Sequence, residues 1–293
     1  MPALLTTDEA AEYLRLSTRK LYELVAQQAV PCTKVTGRWL FPKDALDRWL
    51  AAGIAANDLL APPPPIVGGS HDPLLELALR ESGCGLASLS EGSETGLRRL
   101  THREVTAAAI HLHRLDGDDE GANVAAVAAT PGLHDAVVIA FARREQGLVI
   151  AKGNPLGLAR MADVASRGAR MAMRPDGAGA QLLLVRLLAR SELEMAAIKK
   201  IDPPCPTGTD IAQAVRAHRA DCGIATRAVA RAAHLDFVPL TWEAFDLVLR
   251  QRDYFMPAAQ VLSAYMRGRT FLERATELGG YDVEIAGQVR LAA

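Results

Sequence analysis

The sequence predicts two domains of different class: a small, mainly α winged helix-turn-helix head and a larger α/β body. Three observations carry this. Residues 5–50 hold short amphipathic helical patterns with capping signals. Pro62–Pro65 then interrupts the chain with four consecutive prolines, a composition that makes an extended, semi-rigid spacer. Beyond it, strand-like and helix-like segments alternate to the C-terminus, as in parallel sheets covered on both faces. The expected boundaries are 1–53 for the head, 54–65 for an alanine- and proline-rich linker and 66–293 for the body.

Composition bounds the function. Of 293 residues, 49% are hydrophobic and 23% charged, a balance normal for a soluble globular chain with a core that needs no metal or disulfide staple. The net charge of −1 excludes a generally basic nucleic-acid coat, so DNA affinity must come from a local patch. Cys32, Cys84, Cys205 and Cys222 form no C-x-x-C pair, which points to reduced thiols rather than a zinc site or disulfide framework. Met1-Pro2-Ala3-Leu4-Leu5 lacks a basic n-region, and no apolar run approaches the ~20 residues of a membrane span. A cytoplasmic protein without a membrane partner is expected.

In the head, Thr6 is placed to cap a helix, and Glu9, three residues on, completes a capping box. Ala10, Ala11, Tyr13 and Leu14 follow at helical spacing, and Arg15-Leu16 makes a short turn. Ser17 caps a second helix whose inward face is Leu21, Leu24 and Val25. Its outward face begins with Ser17, Thr18, Arg19, Lys20 and Tyr22. Hydroxyls and cations at a helix N-terminus suit phosphate and base-edge contacts in a major groove. Pro31–Phe41 alternates about Thr36-Gly37 as a hairpin, with Lys34 and Arg38 placed to press on phosphate. Pro42-Lys43-Asp44 starts a third helix, in which Leu46, Trp49 and Leu50 are expected to close the core and which Ala51–Ala61 prolongs.

Leu5-Thr6-x-x-Glu9-Ala10-Ala11, Ser17-x-x-x-Leu21-Tyr22 and Gly37-Arg38-Trp39 before Phe41-Pro42 together resemble the excisionase-type, MerR-like winged helix-turn-helix family. That resemblance implies double-stranded DNA as partner. Between Leu5 and Leu50 seven cations face six anions, so one copy should bind weakly. Paired copies on adjacent sites restore affinity by avidity, hence an expected homodimer or homotetramer. A protein-binding helical adaptor is the competing reading.

In the body, Ile66–Gly69 reads as a strand, Leu74–Leu79 as a helix, Leu86–Leu89 as a strand, and Gly92–Gly96 as the opening of another helix. Thr101-His102-Arg103-Glu104 has the form of a capping box before Val105–Ile110. Ala136–Ala142 and Gly147–Ala151 read as two strands, Arg170–Met173 as another. A leucine-rich helix follows Arg174–Gln181, and Leu182–Leu188 is core. Thr209–Ala217 is helical, Asp221–Ala225 a strand and Thr226–His234 a helix. Phe237–Leu240 and Ala244–Leu249 read as two strands, and two helices finish the chain.

Several pieces in order, among them Gly69-Ser70-His71-Asp72-Pro73, Gly92-Ser93 with Gly96-Leu97-Arg98, Arg174-Pro175-x-Gly177-x-Gly179, Ala220-Asp221-x-Gly223 and Leu278-Gly279-Gly280-Tyr281-Asp282, resemble the periplasmic-binding-protein-like sensor domain related to molybdate- and tungstate-binding proteins. The resemblance implies a type II fold of two α/β lobes, lobe 1 near 66–142 and 241–293 and lobe 2 near 147–237. Crossovers fall near 141–150 and 237–250, with ligand in the cleft.

Ligands of open α/β sheets sit beyond the carboxyl ends of strands. Three loops fit that place: Gly69-Ser70-His71, Gly92-Ser93-Glu94 and Gly177-Ala178-Gly179-Ala180. Their helix N-termini favour an anion. Ser70 and Ser93 add hydroxyls, Arg174 a cation, and His71 and His111 hydrogen-bonding groups. The third loop carries Ala178 and Ala180 where the resembled family has hydroxyls, and Glu91 and Glu94 flank Ser93, a repulsive setting for a dianion. A donor-bearing small organic ligand is therefore the alternative to molybdate or tungstate. His111-x-His113 share a face, but no third ligand stands at a zinc-site spacing, so neither metal nor cofactor is expected.

The reading is a one-component DNA-binding transcriptional regulator, not an enzyme. No nucleophile elbow, phosphate loop, zinc helix or dinucleotide fingerprint is present. An enzyme or an exported solute-binding protein on the same two-lobed fold are the alternatives.

Overall fold

The computed structural model describes residues 4–27, 29–35, 37–55, 62–113 and 121–292. It divides into two compact units, Met1–Pro62 and Pro63–Ala293.

In the first unit, helices span Thr7–Tyr13, Thr18–Ala26 and Lys43–Ala55. The first two start where their caps predict. Thr6 and Glu9 form the reciprocal capping box, and the Ser17 hydroxyl accepts the Lys20 N–H. Leu4–Leu5 pairs antiparallel with Phe41–Pro42, and Thr33 bridges Leu40, leaving a minimal hairpin. Leu5, Ala10, Leu21, Val25, Phe41 and Leu46 form the core, with Trp49 packed against it. Leu50, expected to close that core, is instead 39% exposed. Phe41 and Trp49 already fill the space, and Leu50 falls at the rim. The third helix runs to Ala55; residues 56–61, the rest of the expected prolongation and half of the linker, lie outside the described residues.

The second unit is organised on one sheet. Its strand order is Ala87–Ser90, Ile66–Gly69, Ala107–Ile110, Asp236–Arg250, Ala136–Ile150, Cys222–Thr226, Arg170–Ala172 and Lys199–Ile201. The three strands at each end are mutually parallel. Between them run two long antiparallel strands, Ala136–Ile150 and Asp236–Arg250, shared by both ends. Buried clusters lie on both faces at each end: one pair draws on 67–142 and 245–286, the other on 148–240. The result is the expected pair of α/β lobes joined by two crossovers. Leu183, Leu184 and Leu188 are core, as the leucine-rich pattern predicts, whereas Leu182 and Leu187 are half-buried.

Three details differ from the sequence reading. The crossovers are single 15-residue strands rather than two short strands each. The polar run Arg143-Arg144-Glu145-Gln146 separates the two expected strands, yet Arg144 and Gln146 are buried inside one strand, because Glu243 lies opposite Arg144 and Gln146 reaches the same carboxylate. Thr101 ends the helix Ser93–Thr101 rather than capping a new one. Its hydroxyl donates to the Leu97 carbonyl (3.0 Å), and Glu104 binds Arg99. Finally, Tyr281–Asp282 and Val289–Ala292 add short strands to the edge of Ala136–Ile150; segments so short carry no readable period.

Candidate functional site

On the head, Ser17, Thr18, Arg19, Lys20 and Tyr22 are all exposed on the second helix, and Lys34 and Arg38 are exposed on the hairpin. The amphipathic spacing explains this arrangement, since Leu21 and Val25 turn inward and leave the cations outside. The cations are not idle: Arg19 and Lys20 both approach Glu23, at 3.4 and 3.2 Å. Lys34 Nζ lies 5.2 Å from the Trp39 ring centroid, a cation–π contact that steadies the hairpin.

The body places its candidate ligand residues around the junction of the lobes. Asp72 caps the helix Pro73–Ser82, its Oδ1 accepting the Leu74 and Leu75 N–H groups. Its other oxygen accepts from Arg144 Nη1 (2.8 Å) and the Tyr281 hydroxyl (3.0 Å). Arg144, 1% exposed, also donates Nε to Glu243 Oε1 (2.6 Å) and lies over the Phe245 ring at 4.1 Å. Arg144 and Glu243 are direct cross-strand partners on the two crossover strands, so the register itself makes the pair. Gln146 Nε2 donates to the same Oε1 (2.8 Å). His111 Nδ1 and His113 Nε2 lie 3.1 and 2.8 Å from Oε2. Burial pushes the His111 imidazole down to about 4, with Arg144 adding to the effect and Glu243 opposing it; the ring is neutral at pH 7. The imidazoles and Arg144 hold the Glu243 carboxyl well below its usual range despite the burial.

Against this network lies a partly open cavity of ≈ 20 Å³, room for about one water. Its lining includes Ser70, His71, His111 and Ala180, all foreseen from sequence, and Gln146 and Thr226, which were not. Arg174 lines it too, donating Nη2 to the Pro206 carbonyl (2.7 Å). Burial, then repulsion from Arg144, lowers this guanidinium to about 10, so it stays cationic at pH 7. Two buried atoms here have no hydrogen-bond partner: Gln146 Oε1 and Arg174 Nε. The amide orientation is fixed, because its NH₂ faces an acceptor-only carboxylate.

The other foreseen residues do not line the cavity. Ser93 is buried one layer behind, its hydroxyl 2.8 Å from the Ser70 hydroxyl and accepting the His111 N–H at 3.0 Å. It is therefore spent on the scaffold rather than offered to a ligand. The third loop closes the cleft instead: Gly92 lies against Gly177 and Ala178, and the Glu94 N–H points at the Gly177 carbonyl (3.4 Å). Gly179 abuts His111 so closely that a Cβ would overlap the His111 carbonyl oxygen. Glu94 is exposed, and the Glu91 carboxylate is held by Arg99. The Glu94 carboxylate lies against Gly177 of the third loop, and neither Glu91 nor Glu94 lines the cavity. Sequence reasoning missed Asp72, Arg144, Gln146, Glu243 and Tyr281. Asp72 and Tyr281 stood in the motifs that carry the resemblance, and Arg144 and Gln146 in a polar run between two apolar strand patterns; Glu243 had no signal of its own.

Comparison with known proteins agrees with both halves. A helix-turn-helix domain model matches residues 4–53, and a PBP superfamily domain model matches residues 74–267. The Bacillus subtilis (strain 168) protein named "Uncharacterized protein YvgK" is 21% identical over 98% of this chain and 97% of its own length. Among solved structures, the tungstate ABC transporter from Geobacter sulfurreducens has a TM-score of 0.51 at 16% identity, over 72% of this chain and 97% of that one. A Corynebacterium glutamicum OxyR mutant has a TM-score of 0.50 at 15% identity, over 94% and 91%. Among the described residues no helix is long and apolar enough to cross a membrane. A DNA-binding head and a ligand-binding body are the two working parts of a regulator, and the chain belongs to the PBP superfamily, with a helix-turn-helix domain at its N-terminal end.

Proposed function

We propose that this chain is a cytoplasmic, homo-oligomeric, one-component transcriptional regulator, binding double-stranded DNA through its head and a small anionic effector in the inter-lobe cavity. The cavity has room for about one water here, so an effector enters as the lobes open, and its binding shifts their populations and alters DNA affinity. The cleft is a binding site, not a catalytic one. The observation that carries the reading is the pair of unpartnered buried atoms, Gln146 Oε1 and Arg174 Nε, at one cavity. Each unsatisfied buried group costs about 1–3 kcal/mol. A bound group with an acceptor for Arg174 and a donor for Gln146 removes both penalties.

That demand favours a small organic acid carrying a hydroxyl or amine over molybdate or tungstate. Ala178 and Ala180 offer no hydroxyl, and the Ser93 hydroxyl is already committed to His111 and Ser70. Thermal-shift titration of the full-length protein with molybdate, tungstate, sulfate and a panel of small hydroxy and amino acids tests this. The expected result is a shift with an organic acid that disappears in Arg174→Gln. At 100 times Kd, stabilisation should reach ~2.7 kcal/mol. A large shift with molybdate and none with organic acids would favour the oxyanion reading. DNA protection upstream of its own coding sequence that ignores every stabilising ligand would remove the sensing role.

A further inference from the structure

Beside the effector cavity, His111 Nδ1, His113 Nε2 and a Glu243 carboxylate oxygen converge, all three atoms lying within 4.8 Å of one another. We propose that these three side chains form a binding site for a zinc-class divalent metal ion. Two imidazoles and one carboxylate are a donor set that zinc takes in open sites, with a fourth position left for water. Nitrogen-rich donors also argue against magnesium or calcium, which take oxygen.

The geometry is close to what such an ion needs. Tetrahedral bonds of about 2.0–2.1 Å place ligand atoms roughly 3.3 Å apart. The present separations from Glu243 Oε2 are 3.1 Å to His111 and 2.8 Å to His113, and the two imidazole nitrogens lie within 4.8 Å of each other, so an ion would draw the two rings together. The carboxylate's remaining oxygen is fixed by Arg144 Nε and Gln146 Nε2, the outer-shell support that orients metal-binding carboxylates.

Position gives the site a consequence. Glu243 lies on a crossover strand, and His111 follows directly on the lobe 1 strand Ala107–Ile110. A metal there ties the crossover to lobe 1, next to the cavity that His111 also lines. The site does not depend on the effector reading, and its failure would leave that reading intact.

The test uses the full-length protein without a histidine tag. Cobalt(II) titration followed by visible absorption, and zinc competition against a chromophoric chelator, should show one equivalent bound with d–d bands of a four- or five-coordinate nitrogen/oxygen site. His111→Gln and His113→Gln, checked for a native far-UV spectrum, should each weaken zinc binding at least 100-fold, and Gln146→Leu by about 10–100-fold. Absence of cobalt bands and of chelator competition in the wild-type protein overturns the proposal, whatever the variants do. So does a bound equivalent whose affinity is unchanged in both histidine variants.

Discussion

At the scale of single residues, the head shows how a weakly charged domain can still offer a cationic face. Glu23 sits one turn below Arg19 and Lys20 and pairs with both. Exposed pairs of this kind are worth little in stability, so their effect is on DNA. Lys20→Ala should weaken binding about equally on all sequences and reduce the salt slope by about 1. Glu23→Gln should do the reverse and tighten binding; fluorescence anisotropy across a salt series reads both. In the body, Cys222 is buried in a strand and its thiol is pushed up to about 12 by burial. Since the thiolate is the reactive form, Cys222 should resist thiol reagents at pH 8 until the protein unfolds. Cys32 is half-buried and should label first in a mass-spectrometric time course.

At the scale of elements, the crossover strands decide how the lobes meet. Gly147 faces Pro239, and a bulge at Leu240 lets the pairing resume at Thr241. A Cβ at Gly147 would overlap the Val238 carbonyl oxygen on the paired strand. Gly147→Ala should therefore cost on the order of 3 kcal/mol in denaturant unfolding. Gly179→Ala meets the His111 carbonyl instead, across the cleft rather than within a strand pair. It should leave the fold intact but hold the lobes apart, giving a larger radius of gyration in X-ray scattering and losing the effector-induced thermal shift. At the far side of the sheet, Arg170 donates to Asp221 from its side chain and backbone, and the side-chain bond holds the Asp221 carboxyl below its usual value. A depressed carboxylate stabilises the fold above the unfolded-state value near 3.8 and loses that contribution as pH falls through the folded value. Asp221→Asn should flatten the acid limb of the stability profile in that window.

At the scale of the whole molecule, the two compact units have separate cores, so damage to one should spare the other. Leu46 is fully buried in the head. Leu46→Ala should cost about 2–5 kcal/mol there and abolish DNA binding in a mobility-shift assay, while the effector-induced thermal shift of the body stays at its wild-type size. A mutation that erased both responses together would show that the units fold as one.

The sequence by itself determined the features whose physics is local. Thr6 with Glu9 and Ser17 set helix starts because caps act over three residues, and the alternation of periods reported the α/β body. Loop residues Ser70, His71 and Arg174 were legible because strand-to-helix turns place them at strand ends, where cavities form. Tertiary structure alone decided the rest. Ser93 and Glu94 hold exposed-looking loop positions in sequence, yet one is locked into the scaffold and the other faces solvent. Above all, His111 and His113 lacked a third partner in sequence, and the fold supplies Glu243 from 130 residues away. Arg144 meets the same carboxylate 99 residues away. Such contacts follow from the register of two long strands, and register is fixed by which faces bury and where bulges fall, not by any spacing along the chain.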